Sequence, residues 1–476
     1  MNIFQTIKRE TAAFTGKPAV VEDGYSITYG QLIISAELIA SSLKQSGAAQ
    51  FHRIGLLCSD SIDYIAASLA ILSLSAVVVP ISTDHTDNEI SDILNVISVD
   101  FLVFEKGSHN DKGAFSLMSK GFCKKELYIK KRALQEKPCD EYYRINPAFI
   151  RFSSGTTGTS KGVVLSHETI IDRTDAADKG LKITGEDTVL WVLSMSFHFV
   201  VTILLFLRRA STIVLCSSRF PEALIDGISN HNGTFIYASP FHYSLLANSD
   251  FIAADSMRNI RMAVSTAMKL PEKIADEFFD KYGIELTEAY GIIEVGLPFV
   301  NLSKDKNRRN SVGRALPDYE VALFNKDENK IGAINIRGKG MLDAYFSPWQ
   351  GRAGILNNGW FNTGDLGRID DDGFLTIMGR GKEVINFAGM KVFPSEVEAV
   401  INQFPGVEES HVYGENHSVY GQLPMAKIVF TNNADAPDSL SNLRTYCYKN
   451  LARYKVPKGF EYVSRLHKTA SGKIKR

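Results

Sequence analysis

Residues 153–163 read SSGTTGTSKGV, and they set the interpretation of the rest of the chain. The stretch holds three glycines, six hydroxyl side chains and one lysine, Lys161, and it contains no acid. Glycine lets backbone N–H groups turn toward an anion, hydroxyls donate further hydrogen bonds, and lysine adds a compact positive charge. This composition predicts a loop that cradles the phosphates of a polyphosphate.

Apolar runs lie on both sides of this loop, at residues 149–152 and 163–165. They predict two short strands, so the loop leaves a strand end, where α/β sheets bind their ligands. The loop is not a Walker A motif, because Ser160 precedes the lysine and Gly162 follows it. A flexible Ser/Thr/Gly linker is the alternative, but it gives no reason for the flanking strands.

The surrounding sequence alternates between helical and strand patterns. The pattern predicts helices at 32–43, 64–73 and 87–99, and strands at 53–58, 76–81, 101–104, 191–194, 212–215, 234–238 and 261–265. Such alternation is typical of βαβ units and a largely parallel sheet. Residues 105–143 are polar and give no regular pattern.

The pattern of predicted secondary structure changes twice in the C-terminal third of the chain. Residues 312–378 carry short strand patterns and glycine turns, which predict a small β subdomain. From about residue 380 the patterns indicate a compact α+β unit. The sequence thus predicts an α/β protein with a large N-terminal domain of parallel-rich sheets, helices and a small β subdomain at 1–379. A small, mobile α+β lid domain follows at 380–476.

Composition excludes several classes of protein. The 476 residues contain 53 basic and 53 acidic side chains, so no net charge favours nucleic acid as a partner. The five cysteines lack metal-ligand spacing and fit a reducing compartment. Neither a secretory signal nor an apolar run of membrane-spanning length is present. We expect a cytoplasmic protein with no membrane span.

Three further motifs follow the loop in a fixed order. Residues 289–294 read AYGIIE, residues 362–367 read NTGDLG with Arg380 downstream, and residues 468–473 read KTASGK. With these four motifs, the chain resembles the adenylate-forming (AMP-binding) superfamily over nearly its whole length. That superfamily includes acyl- and aryl-CoA synthetases, firefly luciferase and the adenylation domains of peptide synthetases.

The resemblance implies an acid–thiol ligase. Such an enzyme joins an organic carboxylic acid to ATP as acyl-AMP, releases pyrophosphate, and passes the acyl group to the thiol of CoA. The implied cofactors are ATP, Mg²⁺ and CoA, or a phosphopantetheinyl carrier protein in place of CoA. The small carboxylic acid is the implied substrate.

The resemblance also implies a role for each motif residue. Lys473 would act at the substrate carboxylate and the α-phosphate, and Glu294 would coordinate Mg²⁺. The implied adenine and ribose contacts are Ala289, Tyr290, Gly291, Asp365 and Arg380. The implied phosphate contacts are Ser153, Ser154, Gly155, Thr156, Thr157, Gly158 and Lys161. Ile293 departs from the pattern, since family members commonly carry a threonine there.

The acyl pocket and the moving parts are implied by alignment with the same family. The pocket residues are Phe197, His198, Ser239, Ser265, Thr266, Ile292 and Leu297. No acid stands near Phe197 in the sequence, so an aryl or aliphatic acid is expected rather than an α-amino acid. His198 is a pocket wall, a gate, or a packed histidine. Lys382 is the implied hinge, and Gly389 borders the implied thiol channel.

Two alternatives to a CoA ligase remain open at this point. The first is a stand-alone adenylation enzyme that loads the phosphopantetheine of a carrier protein. The second is a non-catalytic, ligand-binding homologue, which only Ile293 favours. Assays with free CoA, with a carrier protein, and for pyrophosphate release separate the three.

Overall fold

A computed structural model gives the fold. It describes residues 1–107, 115–133, 137–153, 161–216, 220–249, 252–387, 390–417, 420–431, 436–468 and 474.

The helices are spread along the whole chain. They are α1 Ile3–Glu10, α2 Tyr29–Gln45, α3 Ile62–Ser73, α4 Asp87–Val96, α5 Asp140–Arg144, α6 His167–Leu181, α7 Met195–His198, α8 Leu204–Arg208, α9 Glu222–Ser229, α10 Pro240–Ala247, α11 Glu272–Tyr282, α12 Arg352–Ile355, α13 Pro394–Ile401 and α14 Ala436–Asn450. Shorter helical turns lie at Ala12–Phe14, Phe199–Ile203, Ala254–Met257, Lys306–Arg308 and Gly381–Glu383.

The strands form four sheets. They are β1 Pro18–Glu22, β2 Tyr25–Thr28, β3 Arg53–Leu57, β4 Val77–Ile81, β5 Phe101–Glu105, β6 Ser116–Leu117, β7 Leu127–Lys131, β8 Pro147–Ser153, β9 Lys161–Ser166, β10 Thr188–Trp191, β11 Thr212–Leu215, β12 Phe235–Ala238, β13 Met262–Ser265, β14 Leu286–Ile292, β15 Gly296–Val300, β16 Tyr319–Phe324, β17 Gly332–Gly338, β18 Ala344–Tyr345, β19 Gln350–Gly351, β20 Phe361–Ile369, β21 Leu375–Arg380, β22 Ile385–Phe387, β23 Met390–Val392, β24 Val407–His417, β25 Gly421–Phe430 and β26 Gly459–Tyr462.

Two large sheets have parallel centres and antiparallel edges. One runs β15-β14-β13-β12-β10-β11-β1-β2, and the pairs from β14 to β1 are parallel. The other runs β19-β18-β9-β8-β4-β3-β5-β7-β6, and its parallel pairs are β8–β4, β4–β3 and β3–β5. Their central strands are almost fully buried, as parallel sheets covered on both faces require.

Two smaller sheets complete the fold. The antiparallel order β16-β17-β20-β21 is the predicted small β subdomain. The C-terminal sheet runs β23-β22-β25-β24, with β26 beside β25, and it packs with α13 and α14 around its own apolar cluster. The predicted fold class is confirmed, whereas the domain boundary at 379/380 stays a prediction.

Local signals explain several helix starts. Thr28 and Thr86 each form a capping box, with Gln31 and Glu89 three residues later. Ser61 caps α3 by accepting the N–H of Tyr64. These caps satisfy backbone donors that a first helical turn leaves unpaired.

Three of the predicted elements need correction. Residues 105–143 are not irregular throughout, because they contain β6, β7 and α5, and β7 pairs with β5. The helix predicted to end at 99 ends at Val96, and Ser98 has a left-handed φ of 51°. The strand predicted at 191–194 lies earlier, at Thr188–Trp191, because Ser194 is already the N-cap of α7.

The described helices include none that is both long enough and apolar enough to cross a bilayer.

Candidate active site

The predicted phosphate loop joins two antiparallel strands. β8 and β9 form a hairpin in which Ser153 pairs with Lys161 across the loop ends. Residues 154–160 lie outside the described ranges, so the predicted phosphate contacts Ser154, Gly155, Thr156, Thr157 and Gly158 remain expectations. The described ends place Lys161 at the carboxyl end of β8.

A connecting segment, residues 342–346, ties this hairpin to the loop that carries Glu294. The N–H of Leu342 donates to the carbonyl of Glu294 over 2.7 Å. The N–H groups of Asp343 and Phe346 donate to Val164 and Gly162 of β9 over 2.9 and 2.7 Å. The predicted metal carboxylate and the phosphate-loop lysine are therefore linked through the main chain.

Tyr345 of the connecting segment contacts both side chains. Its hydroxyl donates to Oε1 of Glu294 over 3.4 Å, and Nζ of Lys161 lies 4.5 Å from the centre of its ring. Burial raises the pKa of Tyr345, so the hydroxyl keeps its proton near neutral pH. Sequence reasoning missed Tyr345, because no motif marks a tyrosine 51 residues away from Glu294.

Arg173 of α6 fixes the backbone before Glu294. Its Nη1 donates to the carbonyl of Ile293 over 3.1 Å, and its Nε donates to Gly340 over 2.9 Å. Gly291, near the end of β14, approaches the carbonyl of Gly296 so closely that a Cβ would collide with it. The turn after β14 is thus held by a buried arginine and a required glycine.

A second cluster joins the other two motifs. Asp365 on β20 faces Arg380 on β21, and Nε of Arg380 lies 2.9 Å from Oδ1 of Asp365. The hydroxyl of Tyr290 donates to Oδ2 of the same carboxylate. Burial and the negative charge of Asp365 raise the pKa of Tyr290 well above its usual value, so it remains a donor. The structure brings together three residues predicted for adenine and ribose.

The predicted pocket residues gather at the carboxyl ends of neighbouring parallel strands. Ser239 follows β12, Ser265 ends β13, and Thr266 donates to the carbonyl of Ala289 over 3.3 Å. Ile292 pairs with Gly296, next to the buried Leu297. This is the edge at which α/β sheets bind ligands.

Phe197 and His198 lie on α7, held by groups from two other strands. Oδ1 of Asp60, after β3, accepts the N–H of Met195 over 2.9 Å. Burial raises the pKa of Asp60 to about 7. Nη1 of Arg151 on β8 donates to the carbonyl of Phe197 over 2.6 Å, and its guanidinium lies 5.2 Å from the Phe197 ring.

Sequence reasoning missed Asp60 and Arg151, although one signal was present. Arg151 interrupts the otherwise apolar run 149–152. A charged side chain in a buried strand is almost always paired, so this arginine predicts an interaction partner. The ring of His198 packs edge-on against Trp191, with the ring centres 6.2 Å apart, and its role as a wall, a gate or a packed histidine stays a prediction.

The remaining predicted residues do not all lie in the described part of the chain. Lys473 and Gly389 are outside it. Lys382 is exposed in the helical turn Gly381–Glu383, directly after β21, and its role as a hinge stays a prediction.

Comparison with known proteins shows the family of the chain. The family model for AMP-binding enzymes matches residues 7–346, and the model for the AMP-binding enzyme C-terminal domain matches residues 396–473. The indoleacetate–CoA ligase of Aromatoleum aromaticum is 26% identical, covering 100% of this chain and 97% of that protein. A long-chain-fatty-acid–CoA ligase of Escherichia coli is 25% identical, covering 100% of this chain and 93% of that protein.

Solved structures share the fold. The ATP-bound MatB of Rhodopseudomonas palustris superposes with a TM-score of 0.84 at 23% identity, covering 100% of this chain and 97% of that one. A benzoate CoA ligase from Burkholderia xenovorans gives a TM-score of 0.82 at 23% identity, covering 100% and 98%. The chain belongs to the AMP-binding enzyme family and carries that family's C-terminal domain.

Proposed function

We propose that the protein is an AMP-forming acid–thiol ligase, which activates an organic carboxylic acid with ATP and transfers the acyl group to CoA. The observation that carries this proposal is the convergence of Lys161, Tyr345 and Glu294 in one cluster and of Tyr290, Asp365 and Arg380 in a second. The full-length similarity to CoA ligases of aryl and fatty acids supports the same chemistry.

The first step joins two anions, so charge must be neutralised where they meet. The carboxylate oxygen attacks the α-phosphorus, and the bond to the pyrophosphate oxygen breaks. We propose that Lys161 and its loop hold the departing pyrophosphate and that Lys473 stabilises the charge at the reacting phosphorus. Asp365 accepts hydrogen bonds from the ribose hydroxyls, while Tyr290 and Arg380 keep that carboxylate in place.

The residues at Glu294 fit a magnesium ion that is shared with substrate phosphates. No group of three His, Cys, Asp or Glu side chains in the described ranges could form a protein-only metal site. Mg²⁺ commonly takes one or two protein carboxylates plus phosphate oxygens, and Glu294 supplies one carboxylate. When bound, the ion neutralises phosphate charge. Glu294 contributes a fixed oxygen whose position the Tyr345 hydroxyl limits.

The second step transfers the acyl group to a thiol. The thiol sulfur attacks the acyl carbon, AMP leaves with the bonding electrons, and the thiol proton passes to solvent. A thiol is already a good nucleophile near neutral pH, so no unusual base is needed. We take CoA as the acceptor because the full-length relatives are CoA ligases.

Pyrophosphate release from ATP with a panel of aryl and aliphatic acids tests the first step. Thioester formation with free CoA, set against a phosphopantetheinyl carrier protein, tests the second. We expect release with at least one acid, its loss in Lys473→Ala and Glu294→Gln, and thioester formation with free CoA.

Two results would change the assignment. Release of pyrophosphate without thioester formation on CoA, together with loading of the carrier protein, would make the chain a carrier-loading enzyme. The absence of release with every acid would leave a ligand-binding homologue.

A further inference from the structure

Arg151 is a cation whose partners are incomplete. Its Nη1 donates to the carbonyl of Phe197, yet its buried Nε has no hydrogen-bond partner in the ranges that the structure describes. Burial lowers the pKa of Arg151 only to about 10, so the guanidinium stays charged at neutral pH. The charge of Glu294 acts on it, but no described acid lies within ion-pair distance of it.

Other unpaired polar atoms belong to residues packed against α7 and the helical turn after it, or to a predicted pocket position. Among the described residues, the Tyr64 hydroxyl, the Trp191 Nε1 and the Ser265 hydroxyl are buried without hydrogen-bond partners. Tyr64 packs 5.6 Å from the ring of Phe199, and Trp191 packs 6.2 Å from His198. Ser265 is itself a predicted pocket residue.

Such groups are few in native proteins, because an unsatisfied buried donor is costly. An isolated buried charge costs more, so it normally finds a partner of opposite charge. A pocket with these donors is poorly suited to a purely hydrocarbon acyl group. It is suited to an acyl group that brings its own oxygen acceptors.

We propose that the acid substrate carries a second carboxylate and that Arg151 binds it, so that the enzyme takes dicarboxylic acids. This inference rests on the proposed function for the reacting end of the substrate. An arginine edge formed by Nε and Nη2 pairs with both oxygens of one carboxylate in a planar, bidentate geometry. The donation from Nη1 to Phe197 leaves that edge for the ligand.

One feature separates this carboxylate from the reacting one. The reacting carboxylate loses its charge when acyl-AMP forms, so Arg151 would be left without an anion during thioester formation. A second carboxylate keeps its charge through both steps. Arg151 lies between Phe197 of the predicted pocket, which it contacts, and Glu294, whose charge acts on it.

The test compares pairs of acids that differ only by the second carboxylate. Suitable pairs are pentanoate with glutarate, hexanoate with adipate, and benzoate with each of its three carboxylated isomers. The readout is kcat/KM for pyrophosphate release by the full chain, in the wild type, Arg151→Met, Arg151→Lys and the exposed control Arg144→Met.

We expect the wild type to prefer the dicarboxylate in at least one pair. Arg151→Met removes the bond to Phe197 for both acids, so the readout is the ratio of kcat/KM for that dicarboxylate to kcat/KM for its monocarboxylate partner. This ratio should fall by about 100-fold, the loss of a hydrogen-bonded charge pair. For Arg151→Lys, this kcat/KM ratio should lie between those of the wild type and Arg151→Met. Lysine keeps the positive charge but lacks the planar, two-donor edge of arginine. Arg144→Met should behave as the wild type.

Preference for the monocarboxylate in every pair would overturn the proposal. So would an equal loss for both members of a pair in Arg151→Met, which would assign Arg151 to the reacting carboxylate or to folding. The rise in melting temperature caused by each dicarboxylate without ATP gives an independent readout. If no acid releases pyrophosphate but glutarate, adipate or a benzene dicarboxylate stabilises the wild type and not Arg151→Met, the proposed function fails and this inference stands.

Discussion

Replacing Tyr345 by phenylalanine removes one oxygen atom, the one that donates to Oε1 of Glu294 over 3.4 Å. The ring stays, and with it the contact to Lys161 at 4.5 Å. Replacement by leucine removes both. The pair of variants therefore separates the position of the proposed metal carboxylate from the position of the phosphate-loop lysine.

The geometry sets the size of each effect. A hydrogen bond to a charged acceptor contributes about 1.5–3 kcal/mol. The 3.4 Å separation places this one at the lower end, so about 1.5 kcal/mol, or about tenfold, is expected. A cation–π contact adds about 0.5–2 kcal/mol. Tyr345→Leu should therefore lose a further factor of about 2 to 30.

The assay is pyrophosphate release at saturating acid, with Mg²⁺ and ATP titrated separately. Tyr345→Phe should raise the Mg²⁺ concentration for half-maximal rate about tenfold and leave the KM of the acid unchanged. Tyr345→Leu should also raise the KM of ATP. A Tyr345→Phe enzyme with wild-type Mg²⁺ dependence would refute the view that the hydroxyl positions Glu294.

Three more perturbations test other parts of the molecule. Asp365→Asn removes the charge that pairs with Arg380 over 2.9 Å and should raise the KM of ATP about tenfold, measured by initial rates at saturating acid. Lys382→Pro fixes φ at the predicted hinge and should slow thioester formation more than pyrophosphate release, and equal slowing of both would count against a hinge there. His167 is fully buried, its Nδ1 accepts the N–H of Ile3 over 3.2 Å, and burial lowers its pKa to about 4. The pKa of His167 is lower in the folded protein than in the unfolded chain, so protons bind the unfolded chain first as the pH falls. Burial of neutral His167 therefore costs no stability above pH 6.5, and about 3 kcal/mol of the free energy of unfolding is lost between pH 6.5 and 4. Denaturant unfolding of His167→Gln across that range should lack this part of the pH dependence.

The sequence predicted correctly the helices and strands that depend on the local periodicity of apolar residues. The strands around the phosphate loop and the helices near residues 32–43 and 64–73 follow from apolar periodicity, and each is present. Residues 105–143 show no regular pattern in the sequence, because β7 and β6 depend on pairing with other strands. β7 pairs with β5, and β6 pairs with β7 at the edge of the sheet. These are tertiary contacts that the composition of the two strands does not predict.

The same distinction applies to the site. Glu294, Asp365 and Arg380 stand in motifs, and Asp365 and Arg380 meet across β20 and β21. Tyr345 stands in no motif, and its contact with Glu294 depends on how β18 joins β9. Arg151 was visible as a charge in an apolar run, but only the packing against Phe197 reveals what it adjoins.

The connecting segment 342–346 affects which parts of the site can change in sequence. It fixes the spacing between the Lys161 and Glu294 backbones through amide-to-carbonyl bonds, which do not depend on side-chain identity. The wall near Phe197 is instead made of side chains such as Arg151. Substitutions can therefore accumulate at the acid end and change which acid fits, while the nucleotide end keeps its dimensions. A relative that is 26% identical over the whole of this chain is consistent with such a difference between the two ends.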